Sequence, residues 1–84
     1  MANKSWDKDR ERLRELLRDL RKNEADLTQN QLSKLLGKPQ SYVSKYETGE
    51  RKLDYIEITN ICKVIGVSMR IFNELYEKKT SLDS

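Results

Sequence analysis

Apolar residues along the chain recur at the three- and four-residue spacing of helices, and no stretch alternates for long enough to form a strand. The first stripe consists of leucines at i, i+3, i+4 and i+7, which are Leu13, Leu16, Leu17 and Leu20. These side chains fall on one face of a helix, whereas most other positions there are charged. The pattern therefore predicts helix one, with Ser5 as its N-cap and its end at about residue 23.

A second helix is predicted to begin at Thr28, because Gln31 follows three residues later and completes the pattern of a capping box. Leu27 and Leu32 occupy the two positions of a hydrophobic staple across the same helix start. Gly37 follows after little more than two turns, at a position where a left-handed residue commonly ends a helix. The face expected to be buried consists of Leu32, Leu35 and Leu36.

Pro39 suits the first turn of a third helix, because the N–H that proline lacks would have no partner there. This helix is predicted to run to about residue 47, with Gly49 beyond its end. At about 100° per residue, Pro39, Val43 and Tyr46 lie within about 60° of one another and mark the side that packs inward. The opposite side is short, polar and cationic; it carries Ser41, Ser44, Lys45 and Thr48, with Gln40 and Tyr42 on its flanks.

The capping pattern recurs before two further helices. Asp54 and Glu57 repeat the capping box at the start of helix four, Gly66 ends that helix, and Ser68 is the predicted N-cap of helix five. The apolar positions are Ile58, Ile61, Cys62 and Ile65 in helix four and Phe72, Leu75 and Tyr76 in helix five. The sequence thus predicts one all-α domain over residues 1–84, with a five-helix core at about 6–79 and frayed ends at 1–4 and 80–84.

Residues with distinctive chemistry are few. The chain has no histidine and a single cysteine, which excludes histidine-based triads, histidine-containing zinc sites and thiolate clusters. Cys62 lies in the apolar stripe of helix four and is interpreted as a core residue. Tyr46, Tyr55 and Tyr76 are interpreted as half-buried core residues, and Trp6 as part of the core or of a dimer contact. We therefore expect no enzymatic activity, no metal and no cofactor.

Size and hydropathy narrow the class of protein further. An 84-residue domain buries only about 60 to 65% of its unfolded surface, which leaves little room for a deep, water-free active site. No run of 18 apolar residues is present, and the first ten residues lack the apolar segment of a secretory signal. We expect a soluble protein of the reducing cytoplasm with no membrane partner.

The positive charge is concentrated in one part of the chain. Residues 34–52 carry five basic and two acidic side chains, an excess of three that equals the formal +3 of the whole chain. Glutamine and lysine can reach the donors and acceptors of base edges, and a B-DNA major groove about 12 Å wide admits one α-helix. The polar face of helix three and this charge favour an element that reads DNA over an ordinary solvated helix.

The segment LTQNQLSKLLGKPQSYVSKYETGERKLDYIEITNICKVIGVS resembles the helix-turn-helix domain of the lambda-repressor and Cro-like family, also called the xenobiotic-response-element type. The shared pattern is a Thr-Gln pair, an apolar helix followed by LG, a polar helix, then YETGER and an apolar helix ending in IGVS. The resemblance implies a compact five-helix fold in which helices two and three form the helix-turn-helix. It also implies a homodimer that binds inverted-repeat operators in double-stranded DNA, and a nucleoid-associated regulator of transcription, here expected to be a repressor.

Position by position, the resemblance implies two groups of DNA contacts and one structural pair. The residues expected at base edges are Gln40, Ser41, Ser44 and Lys45. Those expected at phosphates are Gln29, Lys38, Tyr42, Thr48, Arg51 and Lys52. Glu47 matches an acidic residue that pairs with an arginine of helix one, for which Arg21 or Lys22 is the candidate.

Helix five is the predicted dimer contact, because its apolar surface exceeds what one small core needs; the residues are Ile71, Phe72, Leu75 and Tyr76. A second interpretation is an antitoxin or adaptor that uses the same fold to bind a protein, with DNA binding secondary. A disordered tail long enough to wrap a toxin would favour it, and the segment EKKTSLDS is short for that purpose. An enzyme is a remote third interpretation.

Overall fold

The computed structural model describes the backbone of residues 3–83 and the side chains of residues 7–80, so the side chain of Trp6 lies outside the described residues. Within residues 3–83 the chain forms five α-helices and no strand. In chain order they are α1 (Asn3–Asn23), α2 (Gln29–Leu35), α3 (Tyr42–Thr48), α4 (Tyr55–Ile65) and α5 (Met69–Asp83). The predicted all-α fold of five helices is confirmed.

Both predicted capping boxes are present. At the start of α2, Thr28 Oγ1 accepts the Gln31 N–H at 3.0 Å and Gln31 Oε1 accepts the Thr28 N–H at 2.8 Å. At the start of α4, Asp54 Oδ1 accepts the Glu57 N–H at 2.8 Å and Glu57 Oε1 accepts the Asp54 N–H at 3.0 Å. Each box satisfies two N–H groups that a helix start otherwise leaves without a partner.

Helix α3 begins at Tyr42, three residues later than Pro39, where the sequence pattern placed its first turn. Pro39 is exposed, not packed inward, and its carbonyl accepts the Tyr42 N–H at 3.0 Å in a turn before the helix. Ser41 stands at the N-cap but makes no side-chain cap. The cap comes from α2 instead, because Ser33 Oγ accepts the Val43 N–H at 3.1 Å.

Two other helix ends differ from the prediction. Helix α1 begins two residues before Ser5, so this serine lies inside the first turn and is not the N-cap. Helix α5 continues to Asp83, through residues that were expected to fray. Contacts with α1 stabilise this last part: the Tyr76 hydroxyl donates to a backbone carbonyl of α1 at 2.9 Å, and Lys79 Nζ lies 3.4 Å from Glu15 Oε1.

The core is organised around α1, which packs against both α3 and α5. The leucine stripe of α1 and the apolar stripe of α4 face inward as predicted. Burial raises the pKa of the Cys62 thiol to about 11, so this core cysteine stays protonated at neutral pH. The buried apolar residues are Leu16, Leu17, Leu20, Leu32, Tyr42, Val43, Tyr46, Ile61, Cys62, Ile65 and Phe72.

Two residues expected in the core are on the surface. Leu35 is 59% exposed and Tyr55 is 68% exposed. The face of α2 that meets α3 includes Leu32 and Ser33, both fully buried, and the half-buried Leu36. At about 100° per residue, Leu32, Leu36 and Ser33 span an arc of about 100°, and Leu35 lies about 60° outside it.

The apolar side of α5 covers the domain's own core. Phe72 is buried at 4% exposure, while Leu75 and Tyr76 are half-buried against the core. The expected surplus of apolar surface on this helix is therefore largely absent, because α1 covers it. Among the side chains of α5 up to residue 80, Ile71 is the large apolar one that still faces solvent, at 42% exposure.

Candidate nucleic-acid interface

Helices α2 and α3 form one packed unit joined by residues 36–41. Gly37 in this connection has φ of 71°, in the left-handed region that residues with a Cβ rarely adopt. The next N–H, of Lys38, donates to the Ser33 carbonyl at 2.9 Å, and the hydroxyl of the same serine accepts the Val43 N–H. Ser33 therefore joins both sides of the turn and sets the position of α3 relative to α2.

The surface formed by α3 and the turn before it is short and polar, but Gln40 and Ser41 lie in that turn and not in the first turn of the helix, where the sequence pattern placed them. Gln40, Ser41, Lys45 and Thr48 are exposed and Ser44 is half-buried. Ser44 Oγ donates to the Ser41 carbonyl at 3.0 Å, and Thr48 Oγ1 donates to the Lys45 carbonyl at 3.1 Å. With these hydroxyls folded back on the helix, the longer side chains of Gln40 and Lys45 extend furthest from the surface.

Tyr42 does not lie on the exposed flank where it was expected. It is 7% exposed, and its hydroxyl donates to Glu57 Oε2 at 2.8 Å, because helix α3 starts late and turns this first residue toward α4. Two cations pack on its ring: Lys38 Nζ lies 5.5 Å and Arg51 Cζ 5.2 Å from the ring centre. Tyr42 thus positions cationic groups and does not itself form part of the outer surface.

Glu57 completes this cluster from the first turn of α4. Its Oε2 accepts from both the Tyr42 hydroxyl and an Arg51 guanidinium N–H. The hydrogen bond from Arg51 and that from the Asp54 N–H lower the pKa of Glu57 to about 2, so it is a carboxylate at neutral pH. Burial and the adjacent Glu57 raise the pKa of Tyr42 to about 12, so the tyrosine stays a hydrogen-bond donor.

A second polar cluster ties α1, α2 and α3 together. Arg21 Nε donates to Glu47 Oε2 at 2.8 Å, and Arg21 Nη2 donates to Glu47 Oε1 at 3.1 Å. Arg21 Nη1 also donates to the Leu27 carbonyl at 2.8 Å. Both side chains are more than nine-tenths buried. The structure thus brings Arg21 to Glu47, while the other candidate, Lys22, is exposed.

Gln29 belongs to the same cluster. Its Nε2 donates to Glu47 Oε1 at 2.8 Å, so the carboxylate orients the amide at the first residue of α2. An amide nitrogen carries two hydrogens, and the second is available for an outside acceptor. The expected phosphate contact at this position therefore has an oriented donor.

Basic side chains collect in a cleft of about 290 Å³ beside the start of α3. Lys38, Lys45 and Arg51 line it together with Ser41 and the ring of Tyr42. Lys52 and Thr48 are exposed a little further along the α3–α4 connection. This arrangement places several cations around the polar face of α3, where it can attract and bind polyanions.

Sequence reasoning missed two residues that shape this surface. Ser33 had no role in the sequence predictions, although it caps α3 across the turn. Glu57 was assigned only to its own capping box, although its second oxygen holds Tyr42 and Arg51. The serine at an otherwise apolar position of α2 was the available signal for the first, whereas the second depends on tertiary contacts.

The packed unit of α2 and α3 agrees with the family to which the chain is similar. A family model described as helix-turn-helix matches residues 17–72, two thirds of the chain. The chain belongs to the Cro/C1-type helix-turn-helix family, a lambda-repressor-like family of DNA-binding regulators and not of enzymes. No curated protein and no solved structure matches the chain significantly.

Two absences hold for the described part of the chain. Among its helices, none has the length and apolar character needed to cross a membrane. The same residues contain no group of three or more acidic or cysteine side chains placed to hold a metal ion.

Proposed function

We propose that this protein is a sequence-specific transcriptional regulator, a repressor that binds an inverted-repeat operator as a homodimer and blocks a promoter in the cytoplasm. The observation that carries the proposal is the polar outer face of α3, bordered by Lys38, Lys45 and Arg51 and held in place by Ser33. A short helix with small residues and flanking cations is suited to the major groove, because it can approach base edges closely while neutralising phosphates.

In the proposed complex, α3 reads base edges in the major groove. Gln40 and Lys45 supply the long side chains, which can donate to N7 and O6 of guanine or, for glutamine, pair with adenine. Ser41 and Ser44 are small enough for the helix backbone to lie deep in the groove. The specificity is assigned mainly to the two long side chains, because the hydroxyls of Ser44 and Thr48 are already bonded to α3.

A second group of residues positions the protein on the phosphate backbone. Lys38, Arg51 and Lys52 supply charge, and Gln29 supplies the amide hydrogen that Glu47 leaves free. Thr48 stays in this group as an exposed residue, although its hydroxyl must turn away from the Lys45 carbonyl before it can donate to a phosphate. We no longer assign Tyr42 to the phosphate contacts, because its hydroxyl is bonded to Glu57 and its ring is covered by Lys38 and Arg51.

Dimer formation would explain how a domain of 84 residues recognises an operator of useful length. Two copies related by a two-fold axis would present their α3 helices about 34 to 36 Å apart, one turn of the duplex. We place Ile71 of α5 in the interface, because it is the exposed large apolar residue among the described side chains of that helix. Tyr55 and Ile56 are more exposed, but they directly follow the connection whose Arg51 and Lys52 are assigned to the DNA backbone.

The test is selection of bound sequences from a random duplex pool at two salt concentrations. An enriched inverted repeat would support the dimeric operator reader. No enriched sequence, with binding that disappears at moderate salt, would contradict it and point to a protein partner.

Two lysines provide a matched comparison on the selected site. Lys45→Ala should relax the preference at particular base positions, whereas Lys52→Ala should weaken all sequences alike and reduce the salt slope by about one. Lys63→Ala on α4, which is also exposed, is the control and should leave both quantities unchanged. If Lys45→Ala weakens binding to all DNA sequences equally, Lys45 does not read bases.

A further inference from the structure

A second cleft, of about 320 Å³, lies between the first half of α1 and the α3–α4 connection. Arg10 and Arg14 line it from α1, and Arg51 and Lys52 line it from the connection. Asp7 is the one carboxylate among the residues that line this cleft. The proposed DNA contacts use Arg51 and Lys52 from the connection but neither Arg10 nor Arg14, so the α1 side of this cleft has no assigned role.

The positive charge of this cleft is only partly compensated. Arg10 lies 3.9 Å from Asp7, and Arg51 pairs with Glu57. Arg14 and Lys52 form no ion pair and no side-chain hydrogen bond within the described part of the chain. Two cations in one cleft without an anionic partner repel each other and favour the binding of an anion.

The cleft also borders a buried donor without a partner. Tyr46 lines it, and this tyrosine is fully buried. Its hydroxyl is inaccessible to solvent and, among the described residues, has no hydrogen-bond partner. Buried polar atoms of this kind are rare, because folding has removed their hydration without replacing it. An acceptor that reaches Tyr46 from the cleft would satisfy the hydroxyl.

The backbone of the connection leaves space for the Arg14 guanidinium. Gly49 has φ of 89°, and a Cβ at that position would lie 3.1 Å from Arg14 Cζ and 3.3 Å from its Nε and Nη1. Because position 49 has no side chain, the planar guanidinium lies directly against the connection. Arg14 is therefore held over the cleft, where its N–H groups can donate to an anion.

We propose that this cleft binds the phosphoryl group of a small phosphorylated molecule, with Arg14 and Lys52 as the charged donors and the Tyr46 hydroxyl as the neutral one. Guanidinium groups match the oxygens of a phosphate in geometry as well as in charge. The volume is at the lower end of small-ligand sites, which suits one phosphoryl group on a compact molecule. A duplex backbone is a poorer candidate, because the neutral donor is fully buried.

Binding in this cleft would affect the DNA surface through Arg51, which lines both clefts and packs on Tyr42. An anion that attracts Arg51 would draw it from Tyr42 and Glu57 and change the charge beside α3. This regulatory consequence rests on the proposed function, whereas the binding itself does not.

The first experiment is an NMR titration of the whole chain with inorganic phosphate, at constant ionic strength maintained with chloride. We expect saturable shifts of the Gly49 amide and of the Tyr46 ring. Arg14→Gln should weaken phosphate binding by about tenfold, the equivalent of one charge-assisted hydrogen bond. Arg18→Gln, an exposed arginine one turn further along α1, is the matched control and should bind phosphate like the unmodified chain.

Tyr46→Phe separates a binding role from a packing role, because it removes only the hydroxyl. Weaker phosphate binding without a loss of thermal stability would support the site. Unchanged phosphate binding in both Tyr46→Phe and Arg14→Gln would overturn the proposed site. Chemical shifts that do not saturate with phosphate and that spread over all basic residues would overturn it as well. The last result would mean a general counterion atmosphere.

A second arm distinguishes a free phosphoryl ligand from the DNA backbone. Duplex DNA bearing the selected sequence replaces phosphate in the titration. If DNA shifts the Gly49 amide and Tyr46 ring while inorganic phosphate does not, the cleft receives a backbone phosphate and the proposal is overturned. Saturable phosphate binding in a chain that selects no DNA sequence would uphold this site while the proposed function fails.

Discussion

At the scale of single residues, Glu57 belongs both to a local capping box and to a cluster of tertiary contacts. One carboxylate oxygen accepts the N–H of Asp54, three residues earlier, and belongs to the capping box of α4. The other accepts from Tyr42 and from Arg51, which come from α3 and the connection after it. The charge of this one side chain therefore contributes both to the start of α4 and to the position of Arg51.

This arrangement predicts a specific acid sensitivity. The folded pKa of Glu57 is lowered from 4.5 to about 2, so its carboxylate stabilises the fold above pH 4.5 and loses that contribution as the pH falls toward 2. Glu57→Gln removes the charge but keeps an oxygen for the Asp54 N–H. The free energy of unfolding, measured by urea denaturation, should therefore fall less steeply between pH 5 and 2 in this variant.

The control for that measurement is Glu74→Gln on α5, which removes an exposed carboxylate. Its profile should follow that of the unmodified chain. If Glu57→Gln and the unmodified chain show parallel profiles, the ion pair with Arg51 does not form in solution.

At the scale of elements, the start of α3 is set by a neighbouring helix. A serine usually caps a helix from the N-cap position, and Ser41 occupies it without a side-chain hydrogen bond. Ser33, ten residues before Val43 and fully buried, supplies the acceptor. The position of the proposed reading helix therefore depends on the packing of α2 against α3.

The two serines give a matched prediction. Ser33→Ala should lower the free energy of unfolding by about 1 to 3 kcal/mol, because the buried Val43 N–H loses its partner. Ser41→Ala should change it by less than about 0.5 kcal/mol, because no cap is lost at that exposed position. Chemical denaturation of both variants measures the difference. A larger loss in Ser41→Ala than in Ser33→Ala would contradict the cross-helix cap.

At the scale of the whole molecule, the packing of α5 on α1 limits where a second copy can bind. Phe72, Leu75 and Tyr76 already contribute to one domain's core, so Leu75→Asp would lower the stability of the fold and could not report on dimer formation alone. Ile71 and Ile56 are exposed and can be changed without that effect. Each lies in the first turn of its helix, where an introduced carboxylate is compatible with the helix dipole.

These two isoleucines therefore test the proposed dimer. Ile71→Asp should yield a monomer by sedimentation velocity and weaken operator binding, because a charge would be buried in the interface. Ile56→Asp should remain a dimer. If Ile56→Asp is monomeric and Ile71→Asp is dimeric, the interface lies at the start of α4. If the unmodified chain is a monomer at all concentrations, the proposed homodimer is wrong.

The helices and their caps were largely predictable because their signals are local. The boxes at Thr28 and Asp54 need partners only three residues away, and the leucine stripe of α1 reflects the period of the helix itself. The pairing of Arg21 with Glu47 came from the family resemblance and not from spacing, since 26 residues separate them. The base and phosphate contacts remain predictions of the same kind.

By itself, the sequence determined the number of helices, most of their boundaries and the polar character of the outer face of α3. Those properties depend on side chains within one or two turns of each other. Only the tertiary structure decided that α3 starts at Tyr42, that Tyr42 is buried beneath two cations and that Leu35 is exposed. Within residues 7–80, it also left the Tyr46 hydroxyl without a partner and brought Tyr46 to a cleft with two cations that form no ion pair there. Each of these depends on which surfaces of distant elements meet, and a helical period does not encode that.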